Sequence, residues 1–450
     1  MSKWERASLK SFLNIEMGQS PKSVYVNNHC DGVPLLNGPA EFTDKYPIPV
    51  QYSTRGTRKA NKNDILFCVR GSTTGRMNIA DQTYFIGRGL ASISHKNGCH
   101  LNSFVKGLLE IYLNGLLGGK GGSVFPNINK SQLLDFEINL PPLSNQIAIA
   151  KVLSDLDAKI EVNNKINEKL EAMAKLVYDY WFVQFDFPYD FARGKPDING
   201  KPYKSSGGKM VYNEELKREI PEGWEVKPLN YLISEFKNGD WGKDKIQGNY
   251  TFSVKCIRGT DIPDTYTTHS DNSPARFILE KNKNKCLSEG DFVIEISGGS
   301  PTQSTGRICL ITKELLDRIG QDVICSNFCK ATSISDNSAT YYFLNTWQLL
   351  YDNGVLFSWE GKTSGIKNLL FKSFVKNYLI PIPPLEIREK YQKIIETNYR
   401  TTQINLAENQ HLASLRDWLL PMLMNGQVSV DEAEYMVYET VSMAAEEVEE

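Results

Sequence analysis

The chain has 450 residues, 41% hydrophobic and 11% aromatic, with 51 basic against 53 acidic side chains and a net charge of −2. At about 150 residues per domain this is room for about three packed cores, which excludes a largely disordered chain. Residues Met1-Ser2-Lys3-Trp4-Glu5-Arg6 hold no apolar signal core, and no window nears the ~18 apolar residues that span a bilayer, so a cytoplasmic protein with no membrane partner is expected.

Taken in order, residues 1–140 hold short β-branched or alternating runs, such as Ile65-Leu66-Phe67-Cys68-Val69, broken by Gly, Asn and Pro. They predict a strand-rich globule. From Pro141 to Phe187 the texture becomes helical, with Ile149, Val152, Leu156, Ile160, Ile166 and Leu170 at three-four spacing and Asn163 falling in the stripe. Residues 188–220, rich in Pro, Gly, Lys and Ser, read as an exposed linker. Residues 221–382 are strand-rich again, and 383–426 return to helix through Tyr391, Ile394, Leu412 and Leu415, with Asn398 and Asn405 in the stripe, until Pro421 and Gly426 end it. Residues 427–450 form an acidic tail, expected to be disordered, with Asp431, Glu432, Glu434, Glu439, Glu446, Glu447, Glu449 and Glu450 and no Lys or Arg. The remaining 51 basic against 45 acidic side chains make residues 1–430 a mildly basic body of +6.

One plan is written twice. Pro141-Pro142-Leu143 recurs as Pro383-Pro384-Leu385 and Gly119-Lys120 as Gly361-Lys362, both displaced by 242 positions; upstream, Gly75-Arg76 recurs as Gly306-Arg307 at 231 and Asp64 as Asp291 at 227. The fold class expected is α+β: two strand-rich domains, each followed by a long helix. The two helices would bury their seams on each other as an antiparallel coiled coil with pseudo-two-fold symmetry, the seam Asn residues fixing register. The competing arrangement lays each helix on its own globule.

Catalytic machinery is missing. The Pro-Pro pairs follow Leu140 and Ile382 where an amino-methyltransferase loop needs a polar residue, and Leu356 stands where a phosphate loop ending at Gly361-Lys362-Thr363 needs glycine. Five histidines form no metal-ligand pair, and eight scattered cysteines, none in a Cys-x-x-Cys, read as reduced core thiols. No catalytic residue and no metal site is assigned. What remains suits DNA. Arg55, Arg58 and Lys59 precede the strand at Ile65, and Arg70, Ser72, Thr73 and Arg76 lie on the glycine-punctuated loop after it; Ser300, Thr302, Gln303 and Arg307 occupy the matching loop of the second half. Arg88 and the repeat lysines Lys120 and Lys362, with Lys367, complete the candidate set. Glycine permits close backbone approach, hydroxyls and Lys bond phosphate, and Arg or Gln reaches base edges.

The order of these motifs resembles the specificity subunit of type I restriction-modification systems over residues 1–426. The carriers are Gly18-Gln19-Ser20-Pro21, Asp64-Ile65-Leu66 before Val69-Arg70-Gly71, Ile86-Gly87-Arg88-Gly89-Leu90, Leu140-Pro141-Pro142-Leu143 with Gln146, and Ser205-Ser206-Gly207-Gly208-Lys209-Met210 leading to Ile220-Pro221-Glu222-Gly223-Trp224. The resemblance implies a non-catalytic reader of a bipartite double-stranded DNA target. Its helical spacers would set the gap and bind two methyltransferase subunits and the translocase-nuclease subunits. S-adenosylmethionine, ATP and magnesium would belong to those partners, with no cofactor in this chain. Arg388 stands where Gln146 does, and the second half lacks the Gly-Gln-Ser-Pro and Gly-Arg-Gly runs, which implies unrelated half-sites. A coiled-coil scaffold that never touches DNA and a self-contained DNA-modifying enzyme are the competing readings.

Overall fold

The computed structural model describes residues 4–43, 46–118, 127–300, 302–363 and 366–449, with the side chains of 362, 363 and 441–449 outside that description. Two compact units divide the chain: Met1–Lys159 with Leu412–Met443, and Ile160–His411 with Ala444–Glu450. Among the described residues no helix is long and apolar enough to cross a membrane.

In the first unit, strands β1 (Glu5–Ser8), β2 (Leu13–Met17), β3 (Ile65–Cys68), β4 (Met77–Ile79) and β5 (Leu90–His95) lead to helix α1 (Asn102–Leu116), strand β6 (Glu137–Leu140) and the long helix α2 (Leu143–Tyr178). The sheet order is β2-β5-β3-β4, while β6 returns to pair antiparallel with β1. The unbroken apolar run Ile65–Cys68 is the signature of a strand covered on both faces, and all four of its residues are buried.

The second unit repeats this plan with β7 (Glu225–Pro228), β8 (Ile233–Asn238), β9 (Phe292–Glu295), β10 (Ile308–Leu310), β11 (Cys329–Ile334), α3 (Thr340–Asp352), β12 (Leu379–Ile382) and the long helix α4 (Leu385–Asn425). Its sheet order, β8-β11-β9-β10 with β12 closing on β7, is the same. Asp64 and Asp291 mark the correspondence. Each is buried, accepts the backbone N–H three residues upstream (Asn61 at 2.8 Å, Ser288 at 2.9 Å), and accepts a hydroxyl from the paired strand, Ser92 or Ser333.

The long helices pair antiparallel, as positions falling along α4 meet positions rising along α2. In the first unit Arg416 donates to Asp157 at 2.8 Å, beside buried Ile149, Val152, Leu156 and Leu412. In the second, the Asn163 amide donates to Glu408 at 2.6 Å and Asn409 at 2.9 Å, and Asn405 donates to Asn167 at 2.8 Å. Ile160, Leu170, Ile394 and Leu415 are half-buried and Tyr391 fully buried. Ile166 departs from the expected seam, being 40% exposed. At 3.6 residues per turn the stripe that passes through Asn163 continues to Asn167, so Ile166 rotates out and the middle of the seam is polar.

Three further expectations change. Residues 188–220 are not a bare linker: strands Pro188–Asp190, Lys195–Pro196 and Lys201–Pro202 form a sheet, followed by the hairpin Met210–Asn213 with Arg218–Pro221. Tyr203 of this segment joins the hydrophobic core of the second unit, with Phe187 stacked on Tyr203 at 4.6 Å and on Trp224 at 5.6 Å. Pro421 does not stop α4, which runs on to Asn425 and ends where Gly426 takes φ +75°. The acidic tail forms helix α5 (Val430–Glu449), capped by Ser429 and Glu432, with Ala433 buried and Glu434 3.7 Å from Lys151. The cysteines are all free; five are buried, Cys286 is partly buried, and Cys30 and Cys99 are exposed.

Candidate nucleic-acid interface

Strand register brings three loops to one end of each four-stranded sheet. In the first unit these follow β2 (Gly18-Gln19-Ser20-Pro21), follow β3 (Arg70 to Arg76) and precede β5 (Gly87-Arg88-Gly89), since Met17 pairs with Ala91 and Cys68 with Leu90. Backbone bonds lock them: Gln19 N–H to the Ile86 carbonyl at 2.8 Å and Val69 N–H to the Gly89 carbonyl at 2.9 Å. Gly18 is required by space, because a Cβ there would strike the carbonyls of Ile86, Gly87 and Leu90. Exposed Gln19, Ser72, Thr73, Arg70 and Arg88 surround this end. The Thr57 hydroxyl donates to Gln19 at 3.1 Å, which brings the Arg55 to Lys59 segment alongside.

The second unit has the same triplet built from other residues. Gly239-Asp240-Trp241-Gly242 follows β8, Ser297 to Arg307 lies between β9 and β10, and Ser326-Asn327-Phe328 precedes β11. Asp240 N–H bonds the Cys325 carbonyl at 2.9 Å and Ile296 N–H the Phe328 carbonyl at 2.8 Å. A Cβ on Gly239 would strike the Ser326 carbonyl, as at Gly18. The motifs that the second half lacks in sequence therefore have structural counterparts: Asn327 at the place of Arg88, and Phe328 at the place of Gly89.

The candidate residues fall into two groups. Arg70, Ser72, Thr73, Arg88, Thr302 and Gln303 are exposed at the loop ends, with Ser300 half-buried beside them. Others are already engaged. Arg76 donates to the carbonyls of Pro39 (3.2 Å) and Phe42 (3.0 Å), and Arg58 lies 2.6 Å from Glu16. Arg55 stands over the Tyr25 ring at 5.1 Å and Lys59 over Phe85 at 5.4 Å. Arg307 forms a two-bond pair with Glu295 (2.7 and 2.9 Å), the side chains 15% and 6% exposed, and that bonding raises the guanidinium pKa. Lys367 is buried, 3.3 Å from Glu360 and donating to the Gln303 carbonyl at 3.1 Å. Glu360 also accepts from Thr305 N–H at 2.7 Å, so Glu360 and Lys367 pin the loop whose tip carries Thr302 and Gln303. Arg307 and Lys367 thus shape the loop and have no charge to spare for a phosphate. Lys120 lies outside the described residues, as does the Lys362 side chain.

Sequence reasoning missed Trp241, Asn327, Phe328, Lys330 and Lys372. Trp241 is 37% exposed with the Arg276 guanidinium 3.6 Å over its ring, and Phe328 is 48% exposed. Lys330, bonded to Asn238 at 2.8 Å, has its pKa lowered by burial and by the charge of Lys372, an arrangement that a nearby anion would relieve. The only signal in the sequence was placement next to strand ends. Gly-Gln-Ser-Pro and Gly-Asp-Trp-Gly share one glycine register and little else.

The family described as Type I restriction modification DNA specificity domain matches residues 1–172 and 221–414. The chain is 39% identical over 176 residues to a putative type I restriction enzyme MjaX specificity subunit of Methanocaldococcus jannaschii, covering 39% of this chain and 41% of that one. It is 27% identical over 315 residues to the MjaIX specificity subunit of the same organism, covering 69% and 65%. To the HindI specificity subunit of Haemophilus influenzae it is 24% identical, covering 68% and 72%. The matches thus span less than two thirds of the first two relatives. Among solved structures, the S subunit of a type I restriction-modification system from M. genitalium shares the fold, with a TM-score of 0.56 at 16% identity, covering 94% of this chain and 96% of that one. With both halves matched and the same loop triplet at the end of both sheets, the chain belongs to the family of type I restriction modification DNA specificity domains.

Proposed function

We propose that this chain is the sequence-reading subunit of a type I restriction-modification complex. The observation that carries the reading is the duplicated loop triplet, one backbone frame holding different side chains. Gln19, Arg70 and Arg88 would read one half-site of double-stranded DNA. Trp241, Gln303, Asn327 and Phe328 would read the other, with Ser72, Thr73, Thr302, Lys330 and Lys372 on phosphates. An arginine at one position and an asparagine at its counterpart favour different bases, guanine and adenine edges respectively, so the target is asymmetric.

The chain itself carries out no bond-making step in this reading. Two methyltransferase subunits and the translocase-nuclease subunits dock on the paired helices and bring S-adenosylmethionine, ATP and magnesium, and the complex works in the cytoplasm on unprotected DNA. The length of α2 and α4 sets the gap between half-sites.

Genome-wide mapping of methylated bases with and without this gene tests the reading, and an unchanged pattern overturns it. Removing one heptad from α2 together with its partner heptad from α4 is expected to change the gap in the methylated motif while both half-sites stay the same.

A further inference from the structure

A fourth segment reaches the loop triplet of the first unit. Strand Val33–Leu36 runs parallel beside Tyr84–Ile86, with Leu36 paired to Ile86, and antiparallel beside Gln51–Ser53, with Leu35 paired to Gln51. Gly87 N–H donates to the Leu36 carbonyl at 2.8 Å. Asn37 therefore leaves its strand where the Gly87-Arg88-Gly89 loop leaves its own. The approach is close enough to dictate both glycines: a Cβ on Gly87 would lie 2.6 Å from Asn37 Oδ1, and one on Gly89 would lie 2.5 Å from the Asn37 carbonyl.

Asn37 is exposed, but its amide is held in place, donating from Nδ2 to Oε1 of the half-buried Gln51 at 2.8 Å. Fixing two side chains this way loses rotamer freedom, which an amide serving only water does not need. Among the described residues neither amide makes another side-chain bond, so Asn37 keeps its Oδ1 and one N–H for a partner. The second unit has the same corner. Ser326 N–H donates to the Ile257 carbonyl at 2.9 Å, which puts Arg258 where the first unit has Asn37. Arg258 is fork-bonded to Asp261 at 2.7 and 2.8 Å, so its charge is met within the chain. As in the loop triplet, the backbone position is kept and the side chain exchanged, and the open hydrogen-bonding edge belongs to the first unit.

An amide offers one acceptor and one donor side by side. That set matches N6–H and N7 of adenine in the major groove, whereas guanine shows two acceptors there, cytosine a donor, and thymine an acceptor beside a methyl. We infer that Asn37 is a specificity-determining residue that reads an adenine in the half-site of the first unit, with Gln51 as the positioning residue that holds its amide. This rests on the reading that the loop triplet meets DNA, with Arg88 on the loop beside Asn37.

The assembled complex and a duplex carrying its own methylated motif provide the test. Arg88→Ala first identifies the arm that the first unit reads. 7-Deazaadenine, which replaces N7 by C–H, is then placed at each adenine of either strand in that arm, apart from the methylated one. At one position it should weaken binding by the unaltered complex about fivefold, while Asn37→Ala, already about tenfold weaker, loses nothing further there. In the methylation map of Asn37→Ala the same position becomes degenerate. Gln51→Met should weaken binding about threefold and keep the base choice. Thermal melts check that the variants fold. A 7-deazaadenine penalty that persists in Asn37→Ala at every position overturns the inference, as does an Asn37→Ala loss spread evenly over all positions, the mark of a structural role. If Arg88→Ala relaxes its arm while Asn37→Ala leaves the motif intact, this inference fails and the loop reading stands. If neither variant changes the motif, both fail.

Discussion

The guanidinium of Arg388 lies 2.6 Å from the carboxylate of Asp336 and donates from Nε to the Pro383 carbonyl at 3.1 Å. In the first half, Gln146 donates to the Pro141 carbonyl at 2.8 Å and meets His95 Nε2 at 3.0 Å. Both side chains join the Pro-Pro corner to the C-terminal end of an inner strand of the sheet, at His95, the last residue of β5, and at Asp336, two residues past β11, so the replacement of Gln by Arg keeps the connection and exchanges a neutral contact for a charged one. Arg388→Ala is expected to destabilise the chain by about 1 kcal/mol, since Asp336 is 40% exposed and the pair partly screened. Arg388→Gln should recover part of that through Pro383. Urea denaturation followed by circular dichroism measures both.

The two corners should respond to different pH ranges. Burial pushes the His95 pKa below its usual 6.5, partly opposed by Gln146 and assisted by His100. The folded chain therefore binds fewer protons here than the unfolded chain. This contribution to stability is fully present above about pH 6.5 and is lost as pH falls through the lower folded value. For Asp336, burial raises the pKa, but bonds from Ser338 and Arg388 outweigh it and hold the carboxyl below its usual 3.8. Its contribution is present above that value and lost only in stronger acid. Denaturation midpoints between pH 7 and pH 5 should fall, and His95→Gln should flatten that slope where Asp336→Asn does not.

Arg88 and Arg307 separate reading from scaffolding. Arg88→Ala should leave stability within about 0.5 kcal/mol, as expected for an exposed side chain. In the assembled complex it should weaken binding to one half-site by ~1–3 kcal/mol. Arg307→Ala strands Glu295, 6% exposed, and should cost about 3–5 kcal/mol of stability. Fluorescence anisotropy on target DNA together with thermal melts distinguishes the two; equal effects of both variants on stability would refute the assignment.

In the polar middle of the helix pair, Asn163→Leu removes the donor that Asn409 accepts at 2.9 Å and is expected to destabilise by about 1–3 kcal/mol. Asn409→Leu should do likewise. The double variant should lose less than the sum of the two, because an apolar pair replaces both partners at once. A double-mutant cycle by urea denaturation measures the coupling, and additivity would remove the pairing from the account.

Phe328 and Gly89 occupy the same place in the two halves. Phe328→Gly should relax choice at the second half-site only, visible as a degenerate position in one arm of the methylated motif, with the melting temperature unchanged because the ring is 48% exposed. A change in the other arm would contradict the assignment.

The sequence by itself determined the duplication, the two strand-rich regions, the long helices after the Pro-Pro-Leu corners and the placement of one loop pair. These follow from periodicity and from motifs whose partners are near in the chain. Asp64 and Asp291 illustrate the point, as each caps a turn three residues away. Tertiary structure alone decided which charges are free. Glu295 and Glu360 neutralise Arg307 and Lys367 by pairings that no spacing announces, the latter made across a strand turn. It also decided that Gly-Asp-Trp-Gly and Ser-Asn-Phe take the places of Gly-Gln-Ser-Pro and Gly-Arg-Gly, because backbone register conserves a position where side chains do not. The same holds for Ile166: the helical stripe was legible, but a small rotation over two turns put Asn167 in the seam, where its Oδ1 accepts from Asn405 of the facing helix.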